Sequence, residues 1–407
     1  MTKSTVKNSQ SHELKHYDAI IVGAGVIGAT LALGLAQQKG WQVALIEKSG
    51  IAEKSFQDNI RATALGLSSQ RLLAELDVWQ QLEQAQQCAY RKMLVWDENS
   101  DSQLAFDAAD YHKSCLGWIV DHNALHLCLQ EKLLQNQSQN KVECFYESQV
   151  NSVKQLQSIV QVEISKQEKA LNLSAPWLFA ADGVNSQIRA QADIPVSLHD
   201  YHQQGVVAKI RTQESHQYTA WQRYLSSGSI ALLPLNNGEC SIVWSTENSQ
   251  AETLLSLSEQ DFVQRLQSTL QSRLGAVELC SKRFAFPLRS VRAEQYVKDS
   301  VILLGDAAHG IHPMAGQGAN LGFADIATLL NEIKDMPAED NKMHRALRRY
   351  ERAQKLNNYR MDSFLTALDT LFRTNNPLLQ SLRRVGLQFV NQQAMLKSAF
   401  AQQVLGK

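Results

Sequence analysis

Residues 17–47 read YDAIIVGAGVIGATLALGLAQQKGWQVALIE, and this stretch decides the fold. A first apolar run ends at the glycine-rich sequence GAGVIG at 23–28, and a later apolar run closes on Glu47. Two short apolar runs on either side of a longer apolar segment, with glycines at the first junction, indicate one βαβ unit. The predicted elements are a strand over 17–22, a helix over 26–39 and a strand over 42–47.

The spacing of the glycines also predicts a ligand. Gly23 permits a tight turn, Gly25 lets the backbone approach a pyrophosphate, and Gly28 lets the helix pack closely on the strand. Phosphates then meet the helix N-terminus, where free N–H groups and the helix dipole favour anions. Glu47 lies nineteen residues after Gly28, where its carboxylate can accept a hydrogen bond from a ribose hydroxyl. We therefore predict an adenine dinucleotide site; the alternative is a purely structural glycine turn.

The same region has a second interpretation as a membrane segment. Residues 19–36 contain no charged side chain, which meets the length of a membrane-span candidate, and three upstream lysines resemble the start of a signal peptide. We favour a buried strand–turn–helix, because the three glycines fall where a strand would turn into a helix. No other stretch is apolar over a comparable length, so we expect a cytoplasmic protein, and a peripheral contact with the inner membrane stays open.

Composition excludes several classes of protein. The chain has 407 residues, 44% of them hydrophobic, which is an ordinary globular balance and not that of a disordered chain. Forty basic and forty acidic residues give no net charge, which argues against a nucleic-acid binder. Six cysteines without a Cys-x-x-Cys pair indicate neither a disulfide scaffold nor a zinc ribbon and suit a reducing cytosol.

Apolar periodicity divides the remaining chain. Helices are predicted over 67–84, 122–138, 258–274, 342–373 and 377–404, and a hairpin over 90–107. Between about 200 and 285 the chain reads as strands separated by turns. We therefore expect an α/β fold in which a Rossmann-like βαβ domain carries an inserted antiparallel-sheet substrate domain (α+β in character) and C-terminal helices. The predicted parts are a disordered leader over 1–16, a discontinuous dinucleotide domain over 17–75, 105–190 and 285–375, a substrate domain over 76–104 and 191–284, and a C-terminal helix over 376–407.

Two further motifs follow buried strands. ADGVNSQIR at 181–189 is, taken alone, an ordinary turn. GDAAHGIHPMAGQGANLGFAD at 305–325 places an acid at a strand end before a glycine-rich loop and a helix, which is a place for a polar ligand. Asp306, His309 and His312 have spacing that suggests a metal site, but Pro313 and the glycines favour backbone contacts, so we predict no metal.

Together the three motifs resemble the three fingerprints of the flavoprotein aromatic hydroxylases, the single-component FAD monooxygenases, over about residues 17–400. Stretches outside the three motifs, such as RATALGLSSQRLLAELDVW at 61–79, resemble the ubiquinone-biosynthesis branch of this family. AYRKMLVW, FDAAD and AWQRY resemble most the enzymes that hydroxylate 2-polyprenyl-3-methyl-6-methoxy-1,4-benzoquinol, and the 2-polyprenylphenol hydroxylases are nearly as similar. The resemblance implies bound FAD, a polyprenylated phenol or quinol substrate, and O₂. Contact with a ubiquinone-biosynthesis complex stays an open question.

The resemblance also carries roles to individual positions. It implies FAD contacts at Gly23, Gly25 and Gly28 (pyrophosphate), Glu47 (adenosine ribose), Arg61 (near the flavin), Asp182 and Gly183 (FAD and NAD(P)H), Asp306 (ribityl or ribose), Pro313 (beside the flavin ring), and the backbone of Gly316, Gly318 and Asn320 (pyrimidine end). Many relatives have arginine where this chain has His122, which leaves that cofactor contact open. Trp221, Tyr224 and Trp244 are expected either to roof the substrate ring or to be sheet core.

The implied reaction is hydroxylation. NAD(P)H reduces FAD, the reduced flavin takes up O₂ as a C4a-hydroperoxide, and the hydroxyl group passes to an electron-rich ring. The sequence contains one GxGxxG, so NADH or NADPH is expected to dock transiently and not in a second dinucleotide domain. Two alternatives stay open at this point: a flavin-dependent reductase or dehydrogenase on the same fold, and an inactive FAD-bound subunit of a biosynthetic assembly.

Overall fold

A computed structural model describes residues 14–51, 60–98, 103–139, 141–167, 169–310 and 318–373. Its helices are α1 (Val26–Lys39), α2 (Leu67–Glu75), α3 (His122–Ser138), α4 (Gln187–Gln191), α5 (Asn248–Ser256), α6 (Glu259–Thr269), α7 (Gly318–Glu332) and α8 (Met343–Arg373).

The strands fall into four sheets. They are β1 (Leu14–His16), β2 (Ala19–Val22), β3 (Val43–Ile46), β4 (Ala62–Leu65), β5 (Gln87–Tyr90), β6 (Lys92–Asp97), β7 (Gln103–Asp107), β8 (Gly117–Asp121), β9 (Val142–Phe145), β10 (Ser148–Gln155), β11 (Val160–Lys166), β12 (Lys169–Ala175), β13 (Trp177–Ala180), β14 (Val196–Thr212), β15 (Thr219–Leu225), β16 (Gly228–Pro234), β17 (Glu239–Glu247), β18 (Val277–Leu279), β19 (Phe284–Ala293), β20 (Val297–Lys298), β21 (Val301–Leu303) and β22 (His309–Gly310).

The dinucleotide domain is built on a six-stranded sheet in the order β20-β21-β13-β2-β3-β9. All neighbours in it are parallel except β20 and β21. Parallel strands covered on both faces are apolar throughout, and β2 and β3 are buried along their whole length. Helix α1 packs on α3 and on α7, which explains why it is apolar on all sides. The predicted α/β fold is confirmed.

Most predicted elements of this domain are confirmed, with two differences. The helix predicted over 67–84 ends at Glu75, because Asp77 adopts a left-handed backbone with φ of 54°. The prediction that residues 1–16 are disordered was wrong for the end of this segment, because Leu14–His16 forms β1 and pairs in parallel with β12. Backbone hydrogen bonding and the Lys15–Glu143 ion pair at 2.7 Å hold this segment. Residues 1–13 lie outside the described part of the chain.

The middle of the chain forms a nine-stranded sheet in the order β22-β19-β14-β17-β16-β15-β6-β7, with β18 beside β14. The prediction of an antiparallel sheet was wrong at one place, because β6 and β15 run parallel. Strand β6 belongs to an earlier hairpin with β7, so its direction is not set by the 196–247 meander. The helix predicted over 258–274 is α6, which ends at Thr269 and is capped by Ser258 Oγ. The sequence analysis missed α5, which precedes it and ends at Ser256.

The proposed domain limits stay a prediction, although the nine-stranded sheet extends to Asp107 and Ala293, beyond the predicted 104 and 284. A small sheet in the order β4-β8-β5 lies next to helix α3 in the chain. Within the described ranges, no helix combines the length and apolar character needed to cross a bilayer. The helix predicted over 377–404 lies outside the described residues.

Candidate active site

The three sequence motifs meet at the carboxyl edge of the parallel sheet. Strands β2, β3, β13 and β21 end one residue before Gly23, Glu47, Ala181 and Leu304, respectively. In open parallel sheets this edge is where ligands bind, since the loops that leave the strands converge there. Residues separated by almost 300 positions in the chain therefore contribute to one place.

The glycine loop is shaped by close backbone contacts. Gly23 has φ of +99°, and a Cβ there would lie 2.4 Å from the carbonyl oxygen of Ala181. A Cβ on Gly28 would lie 1.9 Å from the carbonyl oxygen of Gly23. Neither position accepts a side chain, because Gly23 lies against the second motif and Gly28 lies against the backbone of the loop itself.

Gly25 is different. It caps the N-terminus of α1, and a Cβ added to it would meet no protein atom within 4 Å. Packing within the protein therefore does not demand glycine at this position. A side chain there would fill the cradle in front of the helix N-terminus, where a pyrophosphate approaches the backbone.

The backbone N–H and the carbonyl group of Ala24 both have side-chain hydrogen-bond partners. Glu47 Oε2 accepts a hydrogen bond from the Ala24 N–H at 2.7 Å, and Glu47 Oε1 accepts one from the Ser49 N–H at 2.9 Å. His126 Nε2 on helix α3 lies 2.8 Å from the Ala24 carbonyl oxygen. Glu47 thus fixes the loop directly, and a carboxylate has acceptor sites left for a ribose hydroxyl. Sequence reasoning found Glu47 but missed His126, whose position in helix α3 gave no local signal.

An arginine of the second motif forms a hydrogen bond with the backbone of the third motif. Asp182 Oδ2 accepts hydrogen bonds from the backbone N–H groups of Gln187 and Ile188, at 2.8 and 3.2 Å. Arg189 is 6% exposed, and its guanidinium donates to the carbonyl oxygens of Ala307 and Val184 at 2.8 and 2.9 Å. Arg189 was visible in ADGVNSQIR, but its role appears only when the two motifs are side by side.

Asp182 and Gly183 lie at the same edge. Asp182 Oδ1 is buried without a hydrogen-bond partner among the described residues, and a Cβ on Gly183 would meet nothing within 4 Å. A buried acceptor without a partner is costly, so a hydrogen-bond donor brought to this oxygen would stabilise the edge.

Asp306 occupies a concave position. Its side chain is exposed to solvent, yet desolvation by the surrounding protein raises the pKa of its carboxyl, while the charges of His309 and Arg61 act in the opposite direction. A group that water reaches and that protein surrounds lies in a cleft. The exposure shows that a ligand has access to the carboxylate.

Arg61 connects Asp306 with the start of helix α3. Its carbonyl oxygen accepts a hydrogen bond from the His122 N–H at 3.1 Å. Burial lowers the pKa of His122 to about 3, and the charges of Arg61 and His126 add to the effect. His122 Nδ1 lies 3.0 Å from Thr63 Oγ1, so a neutral imidazole stands where many relatives are expected to have arginine.

Below Asp306 lies a buried ion pair. His309 Nε2 and Asp325 Oδ2 are 2.6 Å apart, and the same oxygen accepts a hydrogen bond from the Gly305 N–H at 2.8 Å. Burial alone lowers the pKa of His309, but the charge and hydrogen bond of Asp325 outweigh it and the net pKa is raised. Sequence reasoning missed Asp325, although a lone acid in the apolar helix GANLGFADIATLL was a usable signal.

The other residues assigned to the third motif divide into two groups. The Asn320 side chain contacts the β4–α2 junction: Oδ1 accepts from the Gly66 N–H and Ser69 Oγ at 2.9 and 2.7 Å, and Nδ2 donates to the Ala64 carbonyl at 2.9 Å. A Cβ on Gly318 would meet nothing within 4 Å. Pro313 and Gly316 lie outside the described residues. The Asn320 side chain is thus engaged within the protein, and a contact of its backbone with the flavin stays a prediction.

Metal binding has no support in the described part of the chain. No group of three or more His, Cys, Asp or Glu side chains there is arranged to hold a metal ion. Asp306 and His309 are instead engaged in the cleft and in the pair with Asp325, and His312 is among the residues not described.

The three aromatic side chains expected at the substrate lie on opposite faces of the nine-stranded sheet. Trp221 and Trp244 face a core that α5 and α6 cover, and the Trp244 and Phe262 ring centroids are 6.5 Å apart. The structure therefore places these two tryptophans at the core under α5 and α6, and a contact of either with the substrate ring stays a prediction. Tyr224 lies on the other face, in a cluster with Tyr90 and Ile119 of the small sheet.

Comparisons with known proteins agree with this geometry. Residues 16–356 match the family described as "FAD binding domain". The chain is 30% identical to "Ubiquinone biosynthesis monooxygenase COQ6, mitochondrial" of Danio rerio, over 96% of this chain and 90% of the relative. It is also 30% identical to "3-demethoxyubiquinol 3-hydroxylase" of Escherichia coli K12, over 95% of this chain and 97% of the relative.

Solved structures show the same fold. The p-nitrophenol 4-monooxygenase PnpA from Pseudomonas putida DLL-E4 aligns with a TM-score of 0.78 at 18% identity, over 97% of this chain and 99% of that chain. PqsL from Pseudomonas aeruginosa, a probable FAD-dependent monooxygenase, aligns with a TM-score of 0.75 at 21% identity, over 92% of this chain and 100% of that chain.

Proposed function

The chain belongs to the FAD binding domain family and is an FAD-dependent monooxygenase, and from this membership we propose that it hydroxylates the ring of a polyprenylated ubiquinone precursor with NAD(P)H and O₂. The observation that carries the proposal is the convergence of three motifs on one cleft that fits FAD. Ubiquinone-biosynthesis relatives that align over nearly the whole chain support the choice of substrate class.

The described residues fit FAD at several positions. We assign the pyrophosphate to the loop of Gly23, Gly25 and Gly28, because the cradle before α1 is open at Gly25. Glu47 accepts from the adenosine ribose while it holds the loop. The exposed Asp306 carboxylate accepts a hydroxyl of the ribityl chain.

The other assigned positions surround these. Arg61, near both Asp306 and His122, lies toward the flavin ring. Asp182 and Gly183 supply an unpartnered acceptor and an open backbone at the same edge. Pro313 and the backbone of Gly316, Gly318 and Asn320 remain proposed contacts of the flavin ring.

Bound FAD supplies the redox and oxygen chemistry. The protein positions the reactants, excludes water and sets the electrostatics of the site. Glu47 and His126 fix the Ala24 peptide, so the loop N–H groups are oriented before a ligand arrives. The neutral imidazole of His122 adds no positive charge to the cleft, whereas Arg61 supplies one. Tyr224 lies on the face of the sheet that meets the small sheet, and we propose it as a wall of the ring site.

Within the substrate class we propose 2-polyprenyl-3-methyl-6-methoxy-1,4-benzoquinol. The sequence resemblance supports it, and the name of the Escherichia coli relative describes the same type of reaction. The second candidate is hydroxylation of a 2-polyprenylphenol. Deleting the gene and identifying the accumulating quinone precursor by mass spectrometry separates the two, because each missing step leaves a different compound.

Purified protein tests the reaction class. With NAD(P)H, ¹⁸O₂ and the benzoquinol, a hydroxylase places one ¹⁸O atom in the product. Reduction of the substrate without ¹⁸O incorporation would indicate the alternative reductase or dehydrogenase. NAD(P)H oxidation that no ring substrate stimulates would indicate an inactive FAD-bound subunit.

Substrate delivery is a separate question. A polyprenylated ring is nearly insoluble in water, so the enzyme takes it from a membrane or from a partner protein. We propose that 376–407 either lies peripherally on the inner membrane or a biosynthetic complex, or packs on the FAD domain. A truncated protein that keeps FAD and loses activity on membrane-embedded substrate supports the first arrangement, whereas aggregation and flavin loss support the second.

A further inference from the structure

Strand β19 presents three apolar side chains in a row. Phe284, Phe286 and Leu288 alternate with residues of the opposite face, since Ala285 packs on the core under α5 and α6. Phe284 is 48% exposed and Phe286 is 40% exposed, whereas Leu288 is 1% exposed. We call these three residues the β19 strip. It lies on the face opposite the helices, which is also the face of Tyr224.

Neighbouring strands continue this face with apolar and polar residues; Leu288 is paired with Gln203, and beyond Gly205 the face continues at Ser245. Phe284 is paired with Val207 on β14, and Val207 is paired with Val243 on β17. Both valines are half-buried, although they lie in the middle of a nine-stranded sheet. Central strands are usually covered on both faces or are polar on the open face. The row of Phe284, Val207 and Val243 therefore forms an apolar patch in the sheet, which indicates that something apolar covers it in use.

A glycine makes room for one of the rings. Gly205 on β14 is paired with Phe286, and a Cβ on Gly205 would lie 2.9 Å from the ring carbon Cζ of Phe286. The Phe286 ring thus lies across the backbone of the neighbouring strand. The ring is fixed in place and still offers one face to solvent.

The strip is continuous with the candidate active site. Further along the same strand, Val291 and Arg292 pair with Gly310 and His309 of the third motif. From Leu288 to Phe284 the strand extends about 13 Å outward, at about 3.3 Å per residue. The buried end of the strip is therefore nearer the FAD cleft and the exposed end is farther from it.

We propose that the β19 strip binds the polyprenyl tail of the substrate and guides it from the ring site to the protein surface; this inference rests on the proposed function. An isoprenoid chain is apolar, uncharged and flexible, so it needs an extended apolar surface and no polar partners. Increasing exposure from Leu288 to Phe284 matches a tail that enters the protein from outside. If the strip instead contacted a second protein chain or a membrane surface, replacing the phenylalanines would affect substrates with short and long tails alike.

The experiment compares substrates that differ only in their tail. The benzoquinol is prepared with one isoprene unit and with several, and kcat and KM are measured in the same detergent. The double variant Phe284→Ser and Phe286→Ser lowers kcat/KM for the long-tail substrate at least about tenfold, a loss of about 1.4 kcal/mol, through KM. The one-unit substrate is unaffected, as is the FAD content.

Two further variants make the result specific. Phe286→Leu keeps an apolar surface and retains most of the long-tail activity. Leu198→Ser is the matched control, because Leu198 is 64% exposed and lies outside the strip. An equal loss for both substrates in the double variant, or the same loss in Leu198→Ser, would overturn the proposal.

A binding readout does not depend on turnover. A substrate analogue with a diazirine at the end of its tail is irradiated with the FAD-loaded enzyme, and the labelled peptide is identified by mass spectrometry. Label on the peptide that contains 284–288 is expected, and label elsewhere contradicts the strip. If the wild type hydroxylates neither substrate, the proposed function fails, and the labelling still decides where a prenyl tail binds.

Discussion

His309 Nε2 and Asp325 Oδ2 lie 2.6 Å apart in the interior, where the two side chains are 4% and 0% exposed. The Asp325 oxygen also accepts the Gly305 N–H, so one carboxylate fixes both ends of the turn that carries Asp306. A buried pair of this kind is costly to form and more costly to break, since one partner alone leaves an uncompensated charge.

The first prediction concerns this pair. Asp325→Asn removes the charge and lowers the free energy of unfolding by about 1.5–3 kcal/mol, the usual range for hydrogen bonds to charged groups. The pKa of His309 is raised in the folded protein, so its stabilisation is fully present below the unfolded pKa of 6.5 and is lost as the pH rises through the folded value. Urea unfolding at several pH values should show the largest difference from wild type on the acid side. A difference independent of pH would contradict the ion pair.

The second prediction concerns His122, whose pKa is lowered to about 3. The unfolded chain binds a proton near pH 6.5, whereas the folded chain does not, so stability falls as the pH drops from 6.5 toward 3. His122→Gln removes this part of the acid sensitivity. Thermal unfolding of wild type and variant between pH 4 and 8 measures it, and the variant His202→Gln, at an exposed histidine, serves as control. Parallel curves for wild type and His122→Gln would show that His122 is not the group responsible.

The third prediction concerns Gly25. Gly25→Val fills the cradle before α1 without colliding with the protein, so the fold is retained while the Kd for FAD rises at least about tenfold. Flavin absorbance per protein and a fluorescence titration of apoprotein measure the change. Gly50→Val is a suitable control, because a Cβ there makes only ordinary contacts. Full FAD occupancy in Gly25→Val would show that the glycine does not face the pyrophosphate.

The fourth prediction concerns Asp306. Asp306→Ala removes a charged acceptor from an exposed position in the cleft, which weakens FAD binding by about 1.5–3 kcal/mol, roughly ten- to a hundredfold in Kd. Stability of the apoprotein changes little, because the carboxylate is exposed. Isothermal titration of apoprotein with FAD measures the affinity, and Asp335→Ala, at an exposed site, is the control. An unchanged Kd would remove Asp306 from the FAD site.

The fifth prediction separates the aromatic residues of the sheet. Trp244→Leu lowers the free energy of unfolding by about 1–3 kcal/mol, because the indole lies in the core under α6, and the KM for the ring substrate stays the same. Tyr224→Phe alters KM or kcat, because we propose Tyr224, which packs with Tyr90 and Ile119 of the small sheet, as a wall of the ring site. Steady-state kinetics and chemical denaturation of both variants decide this. A changed KM in Trp244→Leu and none in Tyr224→Phe would reverse the assignment.

The sequence by itself determined the dinucleotide fold and the ligand class, because the constraints that carry them are local. A strand, a glycine turn and a helix follow one another in the chain; Gly23 has φ of +99°, and a Cβ on Gly28 would collide with the nearby Gly23 carbonyl oxygen. The acid at Glu47 stands a fixed distance away along the same unit. The resemblance of three motifs then gave the family, which the match over 16–356 confirmed.

Only the tertiary structure decided which side chains act together. The pair of His309 and Asp325, the link from Arg189 to Ala307, and the contact of His126 with Ala24 join segments whose partners no local pattern specifies. The same holds for the sheet: Trp244 and Tyr224 both lie in strands of one sheet, yet they face opposite sides. Alternation along a strand shows that successive side chains point to opposite faces of the sheet. Which face meets the FAD domain depends on the elements that pack on each face.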